Sequence, residues 1–172
     1  MPASPHRYRL PRCAAVLLFL ALLATAWPAA ARELHGRVVG VTDGDTLTLL
    51  TDERRQVRIR LAGIDAPERR QPYGDRARQM LSELTFERRA RVIVTSTDRN
   101  GRLIGLVFVR SRDINAEMVR RGGAWVYARY SADPALLALE AEARAARRGL
   151  WSLPQPQRVP PWEWRERRRQ AR

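Results

Sequence analysis

Val57-Arg58-Ile59-Arg60-Leu61 alternates apolar and cationic side chains with a strict period of two. A stretch like this can bury only one of its faces, so it reads as a strand with a core on one side and not as a helix. Val57, Ile59 and Leu61 share the core face, which sends Arg58 and Arg60 to the other. Thr46-Leu47-Thr48-Leu49 alternates in the same way, and Leu34 to Thr42 is rich in Val and Gly. Ala77, Met80, Leu81 and Leu84 then recur at i, i+3, i+4 and i+7, one face of a helix. Two more strands, Arg91 to Thr97 and Arg102 to Val109, flank Asp98-Arg99-Asn100-Gly101, where Asn-Gly signals a hairpin. Asp113 caps a helix ending at Gly122, and Asp133-Pro134 starts another that ends with Arg147 and Arg148 before Gly149. Three strands, a helix, two strands and then helices predict a mainly β, OB-like fold: a five-stranded barrel packed against about three α-helices. A split α+β sheet fits the same pattern.

The ends of the chain differ in composition from this body. Arg7, Arg9 and Arg12 precede an apolar run from Ala14 to Ala26, and Pro28 then leads into Ala29-Ala30-Ala31. That order of basic, apolar and small residues predicts a signal peptide over 1–31, cleaved before Arg32. The run is too short to span a bilayer of ~30 Å, so no stable membrane insertion is expected after cleavage. Cys13, the only cysteine, lies in this segment, and its removal leaves a chain without thiols. The expected domain therefore covers 32–152. From 153 to 172, Pro154, Pro156, Pro160 and Pro161 lead into Trp162-Glu163-Trp164 and a run of Arg, which reads as an extended tail.

With 45% apolar residues, the chain is not a disordered polyelectrolyte. Its 172 residues nevertheless carry a net charge of +14, all of the cationic side chains being Arg. The expected partner is a polyanion.

Carboxylates concentrate in two turns. Asp43-Gly44-Asp45 separates the first two strands, and Asp65-Ala66-Pro67-Glu68 follows the third. Gly44 permits a tight turn, and Pro67 stiffens the other so that Asp65 and Glu68 are held apart. Oxygen ligands from two such loops suit a hard cation, Ca²⁺ or Mg²⁺. Arg60 leaves the third strand opposite its apolar residues, and Arg102 begins the strand after the Asn-Gly turn. Guanidinium groups grip phosphate oxygens in pairs and neutralise charge that grows in a phosphoryl transition state. Metal, arginines and a spare carboxylate together would supply phosphodiester hydrolysis, the carboxylate taking the proton of water. Taken singly, each motif also has an ordinary reading: Asp-Gly is common turn chemistry and most arginines are solvated.

The segments Asp43-Gly44-Asp45-Thr46, Arg60-Leu61-Ala62-Gly63-Ile64-Asp65-Ala66-Pro67-Glu68, Tyr73-Gly74, Asp98-Arg99-Asn100-Gly101-Arg102 and Arg147-Arg148-Gly149-Leu150-Trp151, in that order, resemble the thermonuclease family, whose founding member is staphylococcal nuclease. The resemblance covers about Leu34 to Ser152. It implies an OB-fold and a Ca²⁺-dependent nuclease of DNA and RNA that cuts the 5′ P–O bond and leaves 3′-phosphates. It puts Asp45 and Asp65 in the Ca²⁺ ligand positions, with the backbone carbonyl of Ala66 as the third protein ligand, where the founding member has Thr. Glu68 takes the general-base position, Arg60 and Arg102 the phosphate-clamping ones, and Asp43 lies behind the ligands. The segment after Glu68 is shorter here and carries Arg69 and Arg70.

Other residues point to chemistry less directly. His35 is the only His beyond the signal segment and lies in a strand, which speaks against a His-based dyad or a zinc site. Trp125, Tyr127 and Tyr130 can stack on bases or simply pack. The resulting expectation is a monomeric periplasmic or secreted nuclease, against the alternative of a catalytically silent OB-fold module that binds nucleic acid.

Overall fold

A computed structural model describes residues 32–129 and 133–171. The expected signal segment 1–31 and Tyr130 lie outside the described residues.

Strand β1 (Glu33–Asp43) is long and bends at two bulges, between Val38 and Gly40 and between Val41 and Asp43. The bend lets its first half pair with β5 (Arg89–Thr97) and its second half with β2 (Thr46–Thr51), both antiparallel. β2 pairs with β3 (Gln56–Leu61), and β5 with β6 (Leu103–Val109). The sheet closes through a short parallel ladder in which Ile59, Arg60 and Leu61 lie level with Leu103, Ile104 and Gly105. The five strands β1, β2, β3, β5 and β6 thus form a closed barrel, as the alternation predicts. Their inward positions, among them Val38, Leu47, Leu49, Ile59, Val92 and Val107, are fully buried.

Three short strands lie outside the alternation rule. β4 (Ile64–Asp65) pairs with β8 (Trp125–Val126), and β7 (Arg112–Asp113) turns back to pair antiparallel with the end of β6. Two-residue strands carry no periodicity to read. Helix α1 (Gly74–Thr85) buries Ala77, Leu81 and Leu84 against the barrel. In α2 (Ile114–Arg120) the Asp113 carboxylate accepts from the Ala116 N–H, and in α3 (Pro134–Ala145) that of Asp133 accepts from the Ala135 N–H. Both are the expected caps. The third helix stops earlier than its sequence suggests, because Arg147 and Gly149 adopt left-handed φ values of 52° and 56°.

The larger departure is in the tail. Residues expected to be extended instead form α4 (Pro161–Gln170), a fourth α-helix among the described residues. Pro161 stands at its first position, Glu163 in its first turn and Arg167, Arg168 and Arg169 in its last, which suits the helix dipole. Pro161 is buried, and Trp162 joins a second core cluster with Trp125, Ala143, Leu150 and Trp151. Among the described residues no helix is long and apolar enough to cross a membrane.

Asn115, fully buried on α2, ties these layers together. Its Oδ1 accepts from the Val107 N–H at 3.0 Å, and its Nδ2 donates to the carbonyls of Ala62 at 2.9 Å and Gly105 at 3.2 Å. Asn115→Ala should strand buried backbone groups at the barrel closure and destabilise the fold by about 2–4 kcal/mol, read by urea unfolding. A loss below about 1 kcal/mol would mean that water replaces the amide.

Candidate active site

The two acidic turns meet. Asp45 ends the β1–β2 turn, with its N–H donating to Asp43 Oδ1 at 3.1 Å. Its carboxylate is tied on both oxygens. Oδ1 accepts from Thr46 Oγ1 at 2.9 Å and Arg60 Nη1 at 3.0 Å, while Oδ2 accepts from the Ala66 N–H at 3.0 Å. That last bond joins the first acidic turn to the second. Gly44 makes the approach possible by lacking a side chain: a Cβ there would lie 2.7 Å from the Cβ atoms of both Ala66 and Ala77.

Asp65 is placed by the β4–β8 pair, level with Trp125. Behind that pair, the buried Glu140 of α3 accepts from the Val126 N–H at 2.9 Å and so pins β8 in place. Asp65 is 0% exposed, and its Oδ1 accepts from Arg60 Nη2 at 2.7 Å. Arg60 therefore forks between Asp45 and Asp65, two carboxylates from different loops. Glu68 lies past Pro67 at the rim, where its N–H donates to Gln71 Oε1 at 3.1 Å and its side chain remains 40% exposed.

Barrel closure brings the second predicted arginine to the same place. Arg60 is level with Ile104, and the pleat carries that face back two residues to Arg102. Arg102 is aimed by Asp98, whose carboxylate accepts from its N–H at 3.0 Å and its Nε at 2.7 Å. Because Asp98 binds Nε, the contact leaves both terminal nitrogens of Arg102 for a ligand. The resulting cleft, about 310 Å³, is lined by Asp43, Asp45, Arg60, Ala66, Pro67, Glu68, Arg102, Tyr127 and Arg165. Every site residue expected from the sequence lines it except Asp65, which is buried beneath the ion pairs.

Arg165 is the residue that sequence reasoning missed. It comes from α4, donating from Nη2 to Asp65 Oδ2 at 2.7 Å and from Nη1 to Asp65 Oδ1 at 3.2 Å and Glu68 Oε1 at 2.8 Å. A signal existed in Pro161 followed by Glu163 and a run of Arg, which is a helix start and stop. On that helix Trp162 and Arg165 share a face. Of the aromatic candidates, Trp125 is packing, with its ring 4.3 Å from Trp151 and edge-on to it. Tyr127 lines the cleft and stacks on Trp162 at 5.2 Å and 12°. His35 lies in β1, bonded to Glu33. Arg69 and Arg70 are exposed and outside the cleft lining.

Burial dominates the electrostatics. It pushes the Asp45 carboxyl up to about 7, an effect only partly offset by Arg60 and reinforced by repulsion from Asp43 and Asp65. For Arg60 and Arg165 burial opposes the charge, but the facing carboxylates outweigh it and hold both guanidinium groups above their ordinary value. Asp45, Asp65 and Glu68 thus face two guanidinium charges. The donor set is all oxygen, which fits a hard divalent cation. Among the described residues, however, no three His, Cys, Asp or Glu side chains already converge as a metal cluster.

A staphylococcal nuclease homologue family model matches residues 58–153. An uncharacterized endonuclease of Escherichia coli is 45% identical over 150 residues, covering 87% of this chain and 96% of the relative. Protein ParB of Escherichia coli is 45% identical over 169 residues, 92% of each chain. A micrococcal nuclease of Shigella flexneri is 39% identical over 171 residues, covering 93% of this chain and 94% of the relative.

The shifted Asp45 carboxyl has a consequence for stability. Folded protein holds a proton that the unfolded chain, near its ordinary 3.8, releases. The stabilisation from that proton is complete below about pH 4 and lost as pH rises through about 7. In chelator, wild type should therefore lose more than about 1 kcal/mol relative to Asp45→Asn between pH 4 and 8, measured by urea unfolding. A difference that stays flat over this range would show that Asp45 is ionised throughout.

Proposed function

The chain belongs to the staphylococcal nuclease family and is a nuclease, and from that premise we propose that it hydrolyses DNA and RNA with Ca²⁺, leaving 3′-phosphates. The observation that carries this reading is one cleft lined by Asp43, Asp45, Glu68, Arg60 and Arg102, with Asp65 buried against Arg60 beneath it. In that cleft Asp45, Asp65 and the Ala66 carbonyl would hold the cation. Bound Ca²⁺ would supply Lewis-acid polarisation of the scissile phosphate. Glu68, at the exposed rim and outside the buried ligand pair, takes the proton from attacking water. Arg60 and Arg102 neutralise charge on the phosphate oxygens, and Asp98 fixes the angle of Arg102. We also propose that the protein works outside the cytoplasm, in the periplasm or the medium, as a monomer freed of residues 1–31; the basic, apolar and Ala-rich order of that segment supports export.

Breakdown of DNA and RNA should require Ca²⁺ and stop in chelator, with 3′-phosphate ends on the fragments. Glu68→Gln keeps the shape of the side chain and should lower turnover at saturating Ca²⁺ by ~10²–10⁴-fold. Arg102→Lys keeps the charge but loses the planar fork and should lower it by ~100-fold or more. Rates near wild type in Glu68→Gln would remove the general-base role. Tight nucleic-acid binding with no cutting under any divalent ion would leave a binding module instead.

A further inference from the structure

Helix α4 is docked by its aromatic side and charged on the side that meets the cleft. Pro161 is buried, Trp162 stacks on Tyr127 and meets Trp125 edge-on at 6.1 Å, and Gln71 Nε2 donates to the Val159 carbonyl at 2.5 Å just before the helix. One turn after Trp162, Arg165 is carried over the carboxylates. Its fork is bidentate on Asp65, and one terminal nitrogen also reaches Glu68. Those are a buried carboxylate that the proposed reaction needs for its cation and the carboxylate that it needs for water. Both terminal nitrogens are spent on these acids, so Arg165 is arranged to satisfy carboxylates and not to grip a phosphate.

We propose that Arg165 is a tethered competitor for the metal: its guanidinium takes both oxygens of Asp65, one of the proposed cation ligands, and α4 holds it there until a divalent ion displaces it. The inference rests on the calcium-dependent reading above. It follows from charge and tethering. A +1 group held by a docked helix is present at high effective concentration, and it resists a +2 ion that must take the same oxygens. Release does not require the helix to undock. The Arg165 side chain is 36% exposed, so rotation about its own bonds carries the guanidinium into solvent while Trp162 keeps α4 in place.

The test uses the full chain and Ca²⁺ alone as the probe, with affinity read by calorimetric titration at low ionic strength. Arg165→Gln should bind Ca²⁺ at least about tenfold more tightly than wild type. Arg165→Lys should fall between the two, since it keeps charge without the fork. Arg167→Gln makes the same charge change on the same helix at a residue that pairs with the exposed Glu163, and should shift affinity by less than about threefold. Without metal, Arg165→Gln should also melt at a lower temperature than wild type, and saturating Ca²⁺ should remove most of that difference. If wild type binds Ca²⁺ and cuts nucleic acid while Arg165→Gln binds no more tightly, Arg165 is a positioning residue and the competitor role falls. If neither protein binds Ca²⁺ or cuts, the calcium reading fails and the competitor role fails with it. Equal gains in Arg165→Gln and Arg167→Gln would reduce the effect to bulk charge and overturn the proposal as well.

Discussion

The short parallel ladder between β3 and β6 is the pairing on which everything else depends. It turns an antiparallel meander into a barrel, and it does so at Ile59, Arg60 and Leu61. The residues on either side of Arg60 point inward and are buried, so the pleat forces Arg60 out of the core at the one place where the two acidic turns converge. The same register brings Arg102 to the same face. Loss of the ladder would open the sheet and separate the two arginines, which lie more than forty residues apart in sequence.

Given that frame, the cleft is organised around a charge imbalance that the fold must tolerate. Asp65 has no exposed surface, and Asp45 has almost none. Isolated carboxylates in such positions would protonate or destabilise the chain. Here they survive because Arg60 spans both, Thr46 and the Ala66 N–H satisfy Asp45, and Arg165 covers Asp65. Residues well suited to stability alone would be neutral in these positions, so the site carries a stability penalty.

The C-terminal helix couples the aromatic cluster to this balance. Trp125 lies level with Asp65 in the β4–β8 pair and also packs against Trp151 and Trp162. One ring therefore links the backbone that holds a buried carboxylate to the helix that supplies its second arginine. Arg144 of α3 covers the same rings, with its guanidinium 4.2 Å from the Trp151 centroid, and it pairs with Glu140, which pins β8. Packing and electrostatics at the cleft are thus carried by shared residues.

Much of this was legible in the residue order. Alternation assigns the five barrel strands because one buried face imposes a period of two, and Asp113 and Asp133 mark helix starts because an orphan N–H needs a nearby acceptor. Asp45, Asp65, Glu68, Arg60 and Arg102 stand out because they lie in turns or against the pleat, where side chains have no packing reason to be charged. What stayed hidden involves partners distant in the chain. β4 and β8 are too short for any period, and they exist because each supplies the other's hydrogen bonds. Gly44 reads as a turn residue, but its role is to admit Ala66 and Ala77. The Pro-rich tail reads as extended, yet its helix forms because Trp162 finds a surface made by Tyr127 and Trp125. Arg165 stands in a run of arginines that local pattern cannot tell apart. Its role comes from contact with Asp65, 100 positions earlier in the chain, and only folding can bring a pair that distant within hydrogen-bonding reach.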